Sequence, residues 1–272
     1  MIKKIAYHIF LVFLTFIFGV PIYYLLITTF KSPADAVTHP LGLPRIWNFG
    51  GYVKAFNAMN YVQSIGNNLI ITIASVLFLV IFGSMTAYVL VRSKKRYAKI
   101  AGNIFMVGLI IPFQISIIPL YKLIATFSLV NTRTAVILVD VFCGNLAMST
   151  FMIRGFVNTI PLDLESAALI DGCGTFQCFW RIIFPLLKPI ISTIVILDTL
   201  SIWNDFMTPL LMLQSPKKQV LIQQVYRNIG PFSTDWTSFF PMLVLATIPL
   251  ALFYFVMQKR IIEGVVAGAV KG

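Results

Sequence analysis

Charge is scarce in this chain. Asp, Glu, Lys and Arg make up 11% of its 272 residues, against roughly 25% in a soluble globular domain. That shortage excludes an ordinary water-soluble fold. With 58% hydrophobic residues and a mean hydropathy of +0.89, the chain reads as an all-α, polytopic membrane protein. Helices satisfy every backbone polar group internally, as hydrocarbon demands. Histidine is nearly absent, with only His8 and His39. Three scattered cysteines, Cys143, Cys173 and Cys178, have no metal-ligand spacing and read as small buried or free thiols. No P-loop is present: the tail GAVKG ends in Gly and lacks the GK[ST] element. HExxH and GxSxG are missing too. By its motifs the chain is not an enzyme. If it moves something uphill, the energy must come from a partner or an ion gradient.

What is present are long apolar runs. About 20 apolar residues cross a bilayer, and six stretches qualify: 5–29, 68–91, 102–121, 134–153, 190–212 and 238–258. The first is longer than the roughly 7–15 residues of a signal-peptide core, so it reads as a retained helix. The net charge of +12 raises the question of nucleic acid, but the basic residues cluster beside apolar runs, which marks topology instead. With the N-terminus inside, 13 of the 21 Lys and Arg fall inside and 8 outside. The RSKKRYAK cluster at 92–99 is decisive for the inner side. Both termini and the 161–189 loop are then cytoplasmic. The organisation expected is a first helix and outer segment over 1–64, a core transmembrane domain over 65–258 holding the inner loop 154–189, and a tail over 259–272.

The inner loop is the most patterned polar stretch: PLDLESAALIDGCGTFQCFWRIIFPLLKP, 161–189. Asp163 is placed to cap a short helix. Leu164, Ala167, Ala168 and Asp171 share one face at helical spacing. Asp171-Gly172 is a stop signal, with Gly172 suited to a left-handed C-cap. Thr175 is placed to cap a second helix. Two uses fit this pattern: docking against another protein, or lying on lipid headgroups.

The loop resembles the EAA loop of the inner-membrane permease subunits of bacterial ABC importers. The shared spacing is Ser166-Ala167-Ala168, then Gly172, then Ile182-Ile183-Phe184-Pro185. Ser166 stands where the family usually has Glu, and Phe184 where it usually has Leu. That leaves Glu165 or Asp171 for a charged contact. Trp203-Asn204-Asp205-Phe206, NFGGYVKAFN at 48–57 with Asn67-Asn68-Leu69, and GVVAGAVKG at 264–272 resemble the carbohydrate-importing branch typified by maltose permease. The resemblance implies a type I importer permease fold with six transmembrane helices and a cytoplasmic coupling helix. It implies that Glu165, Ser166, Ala167, Ala168, Asp171, Gly172, Ile182 and Pro185 couple the chain to an ATPase. The implied assembly has a second permease subunit, two ATP-binding subunits and an extracellular solute-binding protein. ATP and Mg belong to the partners, and this chain binds no cofactor or metal.

Asp140, Asp198 and Asp205 lie within spans. A charge there costs at least about 2.5–3.5 kcal/mol on insertion scales, so such groups face a bundle interior or a watery cavity. Asn145, Trp203, Asn204 and Asp205 suit a sugar path, by their amide, carboxylate and aromatic surfaces. The same residue types also hydrogen-bond helices together, and Asp205 is placed to brace the Trp203–Phe206 turn. The function expected is that of an importer permease for a sugar, oligosaccharide or related solute. The rivals are an ion-coupled secondary transporter using the intramembrane carboxylates, and a membrane scaffold that moves nothing. No evident internal repeat favours the secondary transporter.

Overall fold

A computed structural model describes residues 2–229 and 235–269, with side chains at residue 4 and over 7–229 and 235–259. Every described element is helical. The first helix, α1 (Ile2–Thr28), keeps Pro21 inside it. It ends before Ser32, whose hydroxyl accepts the Asp35 N–H at 3.3 Å and caps α2 (Pro33–Thr38). Pro33 comes next, at the first helical position, where a missing N–H costs nothing. After α3 (Gly50–Ala58), α4 (Tyr61–Arg92) runs 32 residues without a proline. At 1.5 Å per residue that is about 48 Å, well beyond a hydrocarbon core of about 30 Å.

Pro112 breaks the third span. It lacks an N–H and pushes Ile111 to extended geometry (φ −77°, ψ 118°). Helices α5 (Arg96–Ile110) and α6 (Phe113–Thr126) therefore meet at a 110° bend. The 102–121 stretch, expected as one straight span, is a bent pair. Thr132 caps α7 (Arg133–Val139) through the Ala135 N–H at 3.1 Å. A π-helical segment, Asp140–Asn145, joins α7 to α8 (Leu146–Val157). The inner loop holds α9 (Asp163–Ile170) and α10 (Thr175–Cys178). A second π segment, Phe179–Ile183, leads to α11 (Phe184–Leu186). The chain then bends by 74° into α12 (Lys188–Trp203). The expected 190–212 span is interrupted at 204–206 before α13 (Met207–Met212). Last come α14 (Leu221–Arg227) and α15 (Trp236–Ala269).

Among the described residues four helical stretches are long and apolar enough to cross a membrane singly, and counting each bent pair as one span gives up to six. The chain forms two compact units, which divide it differently from a linear order of first helix, core and tail. One comprises residues 1–65 and 221–251, the other 66–220 and 252–272. In the first, a Cβ on Gly51 would lie 3.1 Å from the Thr237 carbonyl and 3.3 Å from Pro241, so glycine permits the close seating of α3 on α15. Tyr61 donates to the Leu245 carbonyl at 3.0 Å, and Phe30 packs among Trp47, Phe49 and Tyr52. In the second unit, Leu79, Ile153, Val157, Ile183, Leu187 and Ile194 form a core sealed from solvent. The tail resemblance at 264–272 runs past the described residues.

Candidate coupling loop and polar cluster

Helix α9 starts one residue earlier than the capping reading requires. Leu162 sits at its N-cap, no side chain caps it, and Asp163 is its first helical residue. Thr175 is likewise the first residue of α10, behind Gly174. A carboxylate in the first turn still favours the helix through its dipole. The C-terminal end is as expected. Gly172 has φ +84°, its N–H reaches the Leu169 carbonyl at 3.1 Å, and the Cys173 N–H reaches the Ala168 carbonyl at 2.9 Å. These two bonds make a complete Schellman cap.

The faces of α9 divide otherwise than the spacing suggested. Glu165 and Ala168 are its buried residues, while Leu164, Ala167 and Asp171 are exposed. Ala168 therefore belongs to the inner face, not with Ala167. The outer face is strongly apolar, with Ile170 86%, Leu162 60% and Leu169 55% exposed, and Phe176 of α10 adds to it at 66%. The Ser166 hydroxyl turns back to the Leu162 carbonyl at 3.1 Å, within its own helix. Ile182 is half-buried and Pro185 exposed, both on the return segment rather than on α9.

Glu165 is fully engaged. Arg92 Nε donates to its Oε1 at 2.6 Å, and the Tyr88 hydroxyl to its Oε2 at 2.9 Å. Arg92 Nη2 also donates to the Ile160 carbonyl at 2.9 Å. The Tyr88 ring packs on Phe179 with centroids 5.3 Å apart. Glu165, one of the two carboxylates expected to make a charged contact with a partner, is thus turned inward and paired within the chain. Sequence reasoning missed Arg92 and Tyr88. Its only signal for Arg92 was a basic residue ending an apolar run.

In the spans, the candidate path residues separate. Asn145 donates to the Asp140 carbonyl at 3.1 Å and accepts from the Ser201 hydroxyl at 3.2 Å, tying the π segment to α12. Asp205 Oδ1 accepts the Met207 and Thr208 N–H groups at 3.0 and 3.4 Å, bracing the turn into α13. The side chains of Asp205 and Thr208 adjoin that of Asp140. Asp140 is buried, and its Oδ2 has no hydrogen-bond partner. Trp203 is buried, whereas Asn204 is exposed and donates to the Leu200 carbonyl at 2.8 Å. Asp198 accepts from the Ser149 hydroxyl at 2.8 Å, joining α12 to α8. So Asn145 and Asp205 join one polar belt around the first π segment, and Trp203 and Asn204 point into different surroundings. Among the described residues no group of three or more His, Cys, Asp or Glu is placed to hold a metal.

Comparison with known proteins fits this geometry. The family described as "Binding-protein-dependent transport system inner membrane component" matches residues 79–266. The "Probable starch degradation products transport system permease protein AmyC" of Thermoanaerobacterium thermosulfurigenes is 35% identical, covering 92% of this chain and 91% of the relative. The "Melibiose/raffinose/stachyose import permease protein MelC" of Bacillus subtilis (strain 168) is 33% identical over 93% of this chain and 91% of its own length. In fold, the chain resembles one from the "Crystal structure of a bacterial ABC transporter involved in the import of the acidic polysaccharide alginate", with a TM-score of 0.84, 24% identity and coverage of 95% and 96%.

Proposed function

The chain belongs to the family of binding-protein-dependent transport system inner membrane components, and from that premise we propose that it is one of two permease subunits of an ATP-driven importer for a sugar or oligosaccharide. The observation that carries this reading is α9. It is a short helix, closed at its C-terminal end by Gly172, with an apolar outer face, on a loop whose cytoplasmic side is supported by the count of basic residues. Exposed apolar patches of that kind mark interaction sites. Its occupant is an ATP-binding subunit, and ATP with Mg2+ resides there. The relatives AmyC and MelC are permeases for starch degradation products and for melibiose, raffinose and stachyose, which supports the substrate class. Both termini lie in the cytoplasm, and a second permease and an extracellular solute-binding protein complete the importer.

The work of this chain is positional. ATP binding closes the ATPase pair, and α9, seated on that pair, moves with it. The spans then exchange an inward opening for an outward one, and the belt around Asn145 and Asp205 offers amide and carboxylate groups to sugar hydroxyls. The chain forms no covalent bond to the solute.

Affinity purification in mild detergent tests the reading. The expected result is co-purification of an ATPase whose hydrolysis rises with the solute-binding protein and saccharide. A chain that purifies alone and moves solute on an ion gradient would overturn it.

A further inference from the structure

Helix α9 has little to hold it. Of its eight residues only Glu165 and Ala168 are buried. Ala168 offers one methyl group, an apolar contact that resists compression but slides. Glu165 offers both carboxylate oxygens, each bound by a different residue of α4, Arg92 and Tyr88. The same guanidinium also holds the Ile160 carbonyl. Arg92 therefore grips the chain just before α9 and within its first turn. A charge-assisted, directional contact with three fixed points resists pulling and twisting as well as pushing.

The other routes out of α9 are softer. Forward, the chain passes the left-handed Gly172, a π segment and a 74° bend before it enters α12. Backward, it passes the non-helical residues 158–162 before it reaches α8. Helix α4 instead runs unbroken from Tyr61 to Arg92.

We propose that the Arg92–Glu165–Tyr88 joint is the positioning device through which movement of α9 reaches α4, so that α4 is the span driven directly by the ATPase. The proposal rests on the importer reading. It makes Glu165 a link within this chain, leaving contact with the ATPase to the outer apolar face.

The test uses the assembled importer in proteoliposomes, with ATP hydrolysis and solute uptake measured on the same preparations. Glu165→Gln keeps the shape and removes the charge. Uptake per ATP hydrolysed is expected to fall about fivefold or more, the scale of a typical coupling between sites, while hydrolysis falls less than uptake. The charge-reversed pair Arg92→Glu with Glu165→Arg is expected to recover most of that ratio. Tyr88→Phe removes one contact and leaves the ion pair; it is expected to lower the ratio about twofold, and it decides the matter where Glu165→Gln does not assemble. An unchanged ratio in the assembled variants overturns the joint alone, as does a proportional fall of uptake and hydrolysis. Absence of any ATPase from the unsubstituted preparation overturns the importer reading and the joint with it.

Discussion

Asp198 shows how one hydroxyl keeps a carboxyl group inside a membrane bundle. It is buried on α12, and Ser149 of α8 donates to it at 2.8 Å. Replacing Ser149 with Ala removes a donor from a buried acceptor. The expected cost is about 0.6–2 kcal/mol, between membrane double-mutant values and the soluble figure for an unsatisfied group. Asp198→Asn keeps an acceptor and removes a buried charge, so it is expected to change stability little. Thermal unfolding in detergent distinguishes the two, and equal losses would contradict this division. Asp235, outside the spans, is governed by the opposite balance. Burial raises its pKa, but the Thr237 and Ser238 hydroxyl and N–H groups outweigh burial and leave the carboxyl below its usual range. A depressed folded pKa gives stability that is present above the unfolded value, near 3.9, and lost as pH falls through the folded one. The start of α15 is expected to loosen below about pH 4, and Thr237→Val to shift that loosening upward, read by hydrogen exchange across 236–245. At this scale the sequence was least legible. Glu165 and Arg92 stand 73 positions apart, and no periodic pattern connects them. Asp205, by contrast, could be read as a turn brace because its partners are the next few residues.

Helix α9 is the element where local rules reached furthest. Its end was legible because Asp-Gly encodes a left-handed cap by itself, and Gly172 takes φ +84°. Its orientation was not legible. Four positions at helical spacing define a face but not what covers it, so Ala168 turned inward beside Glu165 while Ala167 stayed out. That division separates two substitutions. A Cβ on Gly172 would meet nothing within 4 Å, so Gly172→Ala brings only left-handed strain of roughly 1–2 kcal/mol. Partial loss of uptake is expected, with assembly kept. Ala167→Trp adds bulk to the exposed face and leaves the chain's own packing untouched. It is expected to insert normally, to abolish ATPase co-purification and so to abolish uptake. Normal co-purification with Ala167→Trp would remove the outer face of α9 as the docking surface. The broken third span shows a different limit. Hydropathy saw one apolar run over 102–121, because Pro112 is tolerated in membrane helices and composition alone does not reveal a 110° bend.

For the whole molecule, hydropathy was enough to find the spans, and charge placement supplies the proposed orientation. Both signals are coarse sums over many residues, which survive local surprises such as the two π segments. The orientation is the premise of the coupling argument, since α9 meets an ATPase only from the cytoplasm. It can be tested apart from transport. Lys94 and Lys54 are both exposed, and the charge count puts Lys94 inside and Lys54 outside. With Cys143, Cys173 and Cys178 changed to Ser, a single cysteine is introduced as Lys94→Cys or Lys54→Cys. In cells stripped of outer envelope layers, a membrane-impermeant maleimide is expected to label the Lys54→Cys chain at once. The Lys94→Cys chain should react only after the membrane is permeabilised. The reverse pattern would place α9 outside, beyond the reach of any ATP-binding subunit, and the importer reading would fall with the orientation.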